Sequence, residues 1–325
     1  MSRKPNMFIV GAPKCGTTSL YAYLDGHPEI FMSPVKEPNF FSPDVQGTFR
    51  GSPFKHPEET DQYLTLFDGA RDERIVGEAS TSYMVSRVAP ALVHDLAPDA
   101  RIIAMLRHPV DLMYSLHNER TANGAEPLAD FAQALGADED RRAGRRLPPG
   151  FNALGAVYRD TALLGEQLQR WQAAYGADRV HTIVFSDFAA DTAGEFKRVL
   201  EFLGVDPSYR PASFEAVNRS WRRREGIVRL LVRSRPMQWV RHRLVPRLIG
   251  EQTTFKLTRR FTRSRLYRRT HTRPDLPAQL RHELEAWFAS DVALLGKLIG
   301  RDLSREWLDQ QQARPARPTT SSVAS

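Results

Sequence analysis

The sequence predicts an α/β protein with a central, mostly parallel sheet flanked by helices. Three observations predict it. Short apolar runs alternate with helix-period segments along the chain. A glycine loop joins the first run to the first helix, "FIVGAPKCGTTSL" at 8–20. At 325 residues the chain can bury a substantial core. The expected layout is one domain over 1–312, a basic helical insertion within it at 219–273, and a disordered tail at 313–325.

The strand candidates are "MFIV" (7–10), "RIVGE" (74–78), "RIIAML" (101–106) and "VHTIVF" (180–185). Helical stretches are expected near 17–26, 86–96, 109–123, 158–175 and 190–203. In the fourth of these, Ala162, Leu164, Leu168, Trp171 and Tyr175 make an apolar stripe. A long helix begins after Pro277 and stops at Gly300.

Composition is that of an ordinary globular domain: 41% hydrophobic, 26% charged, with a mean hydropathy of −0.45. No apolar run reaches the roughly 18 to 20 residues a membrane span needs, and "MSRKPNMFIVG" leaves no room for a signal peptide. One cysteine, Cys15, forbids an internal disulfide and fits a reducing cytoplasm. Metal-ligand spacings are absent from the sequence, and no metal is expected.

Gly11 and Gly16 hold the spacing that lets backbone N–H groups wrap a phosphate. Thr17, Thr18 and Ser19 then fall at a helix N-terminus, whose free N–H groups and dipole favour an anion. A nucleotide-triphosphate loop would put lysine directly after the second glycine, to span β- and γ-phosphates. Here that residue is Thr17, and the lysine stands three residues early, at Lys14. In that position it lies over the distal end of a shorter ligand. The metal-binding aspartate of an ATPase is missing too, because "RIIAMLRHP" ends in arginine.

"PKCGTTSL" closely resembles the 5′-phosphosulfate loop of sulfotransferases that use 3′-phosphoadenosine 5′-phosphosulfate (PAPS). The resemblance implies a P-loop-like fold in which Lys14, Cys15, Gly16, Thr17, Thr18 and Ser19 surround the 5′-phosphosulfate, with Cys15 a small residue packed beneath it. "RIIAMLRHPVDLMYSLHNE" (101–119) carries Arg107 and Ser115 eight residues apart, similar to the pair that grips the 3′-phosphate in that family. The helix–strand–helix segment 163–205 and the closing segment 295–307 are similar as well, so the resemblance spans about 6–310 apart from most of the basic stretch.

"VKEPNFF" (35–41) resembles the stretch of heparan-type and related bacterial carbohydrate sulfotransferases in which a glutamate before two aromatics acts as base. This implies Glu37 as catalytic base together with Lys14, and Lys36 and Phe40 near the acceptor. Between Phe40 and Phe41, the Glu37 carboxyl is expected to have a raised pKa. "GEASTSYM" (77–84) departs from the heparan-type pattern. It carries Glu78-Ala79 where those enzymes have Glu-Lys, which weakens the case for a glycosaminoglycan acceptor. Glu78 either orients the acceptor or Lys14, or is a buried structural partner. His108 and His117 read as structural or helix-surface residues.

The reaction so implied moves a sulfonyl group from PAPS to a hydroxyl of a sugar, glycolipid or other alcohol. Two other classes stay open: an ATP-dependent P-loop kinase, and a non-catalytic module binding anionic lipid or nucleic acid. The intact set of Lys14, Arg107, Ser115 and Glu37 speaks against the last.

Net charge is +8, but 219–273 holds 18 Lys and Arg against Glu225 and Glu251, a local balance of +16. "YRRTHTRP" (267–274) resembles the late basic loop that closes over the cofactor's 3′-phosphate, which implies cofactor contacts for Arg268 and Arg269. Within 226–250, Ile227, Leu230, Trp239 and Leu248 are interleaved with arginines and broken by Pro236 and Pro246. Short amphipathic helices are expected there, forming an acceptor lid that touches anionic membrane. Nucleic acid is not an expected partner, since no reading module accompanies the charge.

Overall fold

The computed structural model describes residues 3–45, 59–214 and 275–308, together with the backbone of two short strands at 221–223 and 268–270. The 226–250 lid and the tail at 313–325 lie outside the described residues.

Five parallel strands form the sheet: β1 (Met7–Gly11), β2 (Ile30–Met32), β3 (Ile75–Ala79), β4 (Arg101–Leu106) and β5 (Val180–Val184), in the order β2-β3-β1-β4-β5. β1 and β3 are buried along their whole length. Such near-continuous apolar runs are what a covered parallel sheet demands. The four expected strands form within a residue or so of their expected bounds. β2 is additional, and at three residues it gives no periodicity to read.

The strand order fixes where a ligand can sit. From β1 the chain runs out to β2, returns through β3 to lie beside β1, then crosses to β4 on β1's other side. The direction of winding therefore reverses at β1. In open parallel sheets, ligands bind beyond the carboxyl ends of the strands at that reversal.

The helices around the sheet follow local signals. Pro109 opens the Pro109–Asn123 helix, and Gly124 closes it at φ 73°. The expected helix over 158–175 is two pieces, Tyr158–Thr161 and Leu164–Tyr175. The second piece is capped from a distance: Asp291 on the Ala278–Ile299 helix accepts from the N–H groups of Gly165 and Glu166, both at 2.9 Å. A Cβ on Gly165 would collide with Asp291, so this helix contact requires glycine.

β6 (Trp221–Arg223) and β7 (Arg268–Thr270) pair antiparallel, with Arg222 opposite Arg269 and Arg223 opposite Arg268. β6 lies against the Pro109–Asn123 helix, so the ribbon borders the element that carries Ser115. No helix among the described residues is long and apolar enough to cross a membrane.

Candidate active site

The loop after β1 is held from below and from the side. Ala12 donates its N–H to the Met105 carbonyl at 2.8 Å, tying the loop to β4. Gly16 stands at the start of the Thr17–Leu24 helix with φ 96°, and no side chain caps that helix. A Cβ on Gly16 would press against Met105 and Phe188 at 3.3 and 3.4 Å, in a conformation only glycine adopts readily. The Ser19 N–H already donates to the Gly16 carbonyl at 2.9 Å, so the N–H groups offered to an anion are those of Thr17 and Thr18. Thr17 and Ser19 are buried and Thr18 is half-buried. Cys15 is fully buried, and burial pushes its thiol up to about 12 against the pull of Arg107 and Lys14. It stays protonated, as a packing residue should.

Lys14 adopts φ 66°, a costly conformation for a side chain with a Cβ. Two partners hold it. Arg107 Nη1 donates to the Lys14 carbonyl at 2.8 Å, and the Lys14 ammonium meets Glu119 Oε1 at 3.0 Å. Arg107 also lies over the Phe185 ring, 4.7 Å from its centroid. Arg107 therefore bridges the end of β4 and the phosphate loop. Ser115 lies two turns into the following helix and is buried.

Glu37 faces this loop from the segment after β2. Its backbone is left-handed as well, at φ 62°. Its N–H donates to the Ala79 carbonyl at 2.9 Å, and Asn39 Nδ2 donates to its carbonyl at 2.7 Å. Non-glycine residues held at positive φ gather at functional sites, where surrounding bonds over-determine them. Lys36 Nζ sits 2.6 Å from Glu37 Oε1, and Thr81 Oγ1 lies 3.5 Å from the same oxygen.

The expected rise in the Glu37 pKa is not what the structure gives. Burial works to raise it, but Lys36, Lys14 and Thr81 outweigh burial and leave the carboxyl below its ordinary value. The two aromatics do not wall it in. Phe41 turns into the core against Phe8, Tyr63 and Tyr83, while Phe40 stacks on Tyr63 at 4.8 Å.

Glu78 matches the second of its two readings. It is fully buried in β3 and accepts from Tyr63 at 3.0 Å, Tyr83 at 2.7 Å and Ser80 at 2.8 Å. Burial raises its pKa to about 7 despite those three bonds, and the Glu37 charge adds to the rise. His108 and His117 are structural: each ring Nε2 bonds a backbone carbonyl, of Trp307 at 3.2 Å and Leu128 at 2.9 Å.

Lys14, Arg107 and Glu37 are thus brought to the carboxyl end of the sheet, with Ser115 on the adjoining helix. Arg268 and Arg269 are placed by register alone, on the ribbon beside that helix. Sequence reasoning missed Glu119, Thr81 and Asn39. Glu119 was within reach, since it follows Ser115 by four residues and so shares its helix face. Arg222 and Arg223, opposite Arg269 and Arg268, were also missed.

The sulfotransferase-domain family pattern matches residues 4–224. The chain belongs to the sulfotransferase family. It is 35% identical over 252 residues to human carbohydrate sulfotransferase 15, with 62% of this chain and 44% of that protein covered. It is 29% identical over 210 residues to human heparan sulfate glucosamine 3-O-sulfotransferase 6, covering 62% and 53%. The chain therefore spans about half the length of the curated relatives it matches. Among solved structures, a sulfotransferase from Alicyclobacillus acidocaldarius superposes with a TM-score of 0.68 at 32% identity, over 94% of this chain and 99% of that one.

Proposed function

We propose that this sulfotransferase moves a sulfonyl group from PAPS to a hydroxyl of a sugar, glycolipid or other alcohol, with Glu37 as base. One observation carries the reading: Glu37, tied by its N–H to the Ala79 carbonyl at 2.9 Å, stands beside the glycine loop, near enough for the Lys14 charge to favour its ionised form. An anion cradle and a proton acceptor thus lie together at the carboxyl end of the sheet. The residues present fit the donor, with a glycine-shaped cradle at a helix N-terminus, a half-buried Arg107 at the end of β4 and a buried Ser115 on the helix that follows.

When bound, the donor supplies an activated sulfonyl group on a phosphate leaving group. Lys14 and the N–H groups from Gly16 to Thr18 hold negative charge at the 5′ end, a preorganised electrostatic contribution. Arg107 and Ser115 hold the 3′-phosphate, with Arg268 and Arg269 closing over it from the ribbon. Glu37 Oε1 accepts the acceptor's proton, and Lys36 and Phe40 border the acceptor. The carbohydrate and heparan sulfate acceptors in the relatives' names support a sugar hydroxyl; Ala79, in place of a lysine after Glu78, weighs against a glycosaminoglycan.

The test is calorimetric. Adenosine 3′,5′-bisphosphate should bind without metal and more tightly than 5′-AMP, and Arg107→Ala should weaken it by roughly 1.5 to 3 kcal/mol. Equal affinity for the two nucleotides, or preference for ATP with Mg²⁺, would overturn the donor assignment in favour of a kinase. Residues 226–250 are proposed as an acceptor lid with an affinity for anionic lipid, in a cytoplasmic protein peripheral to the membrane. Co-sedimentation with anionic but not zwitterionic vesicles, lost as salt rises, is the expected outcome; equal binding to both removes the membrane contact.

A further inference from the structure

Lys14 is engaged at both ends by one strand–helix unit. Arg107, at the end of β4, grips its carbonyl at 2.8 Å, and Glu119, on the helix that follows, pairs with its ammonium at 3.0 Å. Glu119 lies one turn beyond Ser115 on the same helix face. Its side chain is 47% exposed, whereas that of Lys14 is 21% exposed, so the pair is reached from solvent through the glutamate. The other carboxylate on that helix near the site, Asp111, is bound elsewhere, to Arg281 at 2.6 Å. Glu119 is thus a carboxylate at the mouth of a cradle built for a polyanion. An incoming phosphosulfate must either leave Lys14 where it is or draw it away from Glu119.

We propose that Glu119 is a positioning residue that holds Lys14 toward the helix and competes with the nucleotide for it. This rests on the donor reading above. The exchange weakens nucleotide binding, because one ion pair of Lys14 is traded for another. The same exchange, run backwards, helps the bisphosphate product leave. Removing the Glu119 charge should therefore tighten the nucleotide, lower the donor KM and slow product release, so that KM and kcat fall together. A role confined to helix stability would not lower KM and tighten the nucleotide while kcat falls.

Two measurements on the full chain decide it. Without nucleotide, amine acetylation of Lys14 followed by mass spectrometry should be faster in Glu119→Gln than in wild type. Calorimetry with adenosine 3′,5′-bisphosphate should show Glu119→Gln binding about two- to fivefold tighter, the range set by one exposed ion pair. In a Lys14→Met background the same substitution should have no such effect. Equal tightening with and without Lys14 overturns the proposal, since the charge would then act directly on the nucleotide. Unchanged affinity overturns it too, whatever the labelling shows. A wild type that binds no bisphosphate sinks the donor reading and the competition with it, while equal labelling in both proteins sinks the ion pair independently of any nucleotide.

Discussion

Glu37 and Glu78 meet the carboxyl end of β3 from two sides. Glu78 is a residue of the strand, fully buried, with three hydroxyls donating to it. Glu37 comes from the neighbouring segment, is bonded through its N–H to Ala79, and leaves 42% of its side chain exposed beside Lys36. Burial raises proton affinity in both. Only Glu37 has cations to reverse the effect. The carboxyl near 7 looks, by pKa alone, like the better general base at neutral pH. It is also fully buried, with both carboxyl oxygens occupied by hydroxyls. Geometry has to be satisfied before proton affinity counts, and for that reason the proposed base is Glu37, part-exposed beside the glycine loop, and not Glu78.

The sharpest way to break this comparison is to neutralise each carboxylate in turn. Glu37→Gln should cost roughly 10²- to 10⁴-fold in turnover, the usual contribution of a general base, with nucleotide affinity kept. Turnover within a few-fold of wild type would remove Glu37 from the role.

Glu78 should answer in stability rather than in rate. Between the ordinary glutamate range and about 7 the folded chain holds a proton that the unfolded chain has lost. Stability from this group therefore falls as pH rises through that window, then levels off. The full drop is on the order of 3 kcal/mol. Glu78→Gln should flatten the slope and match or exceed wild-type stability at pH 8. Glu78→Ala strands the Tyr63, Tyr83 and Ser80 hydroxyls, each costing about 1 to 3 kcal/mol. Urea melts across pH 5 to 8 read both effects, and a slope unchanged in the glutamine variant would show that Glu78 is not the titrating group.

The contrast between the two glutamates also marks what the sequence could carry. Strands β1, β3, β4 and β5 were legible because buried parallel strands are continuous apolar runs, and the loop because its glycines keep a fixed spacing. Lys36 next to Glu37 was visible as a neighbour. Its share in outweighing burial was not, since that depends on a 2.6 Å contact between adjacent side chains. The partners of Glu78 lie 15, 5 and 2 residues away, and only the fold of β3 against the Thr60–Leu64 helix and the Ser82–Val85 turn of helix gathers them. Lys14 and Glu119 are 105 residues apart, and no pattern in either segment announces the pair.

The smallest expected effect tests the cause of the difference directly. If Lys36 is the principal cation that pulls Glu37 below its ordinary value, then Lys36→Met should let burial act unopposed by its nearest charge. The Glu37 carboxyl then holds its proton to higher pH. Because a base works only when deprotonated, the acid limb of kcat/KM should move upward in pH, whatever height the plateau takes once Lys36 no longer borders the acceptor. Wild type should show that limb below the ordinary glutamate range and nearly constant activity through neutrality. Thr81→Val removes a single 3.5 Å contact and should shift the limb in the same direction by less. A limb that stays in place in Lys36→Met would mean that Lys14 alone keeps Glu37 ionised. Glu119→Gln, by releasing Lys14 from its partner, would then be the substitution that moves the limb.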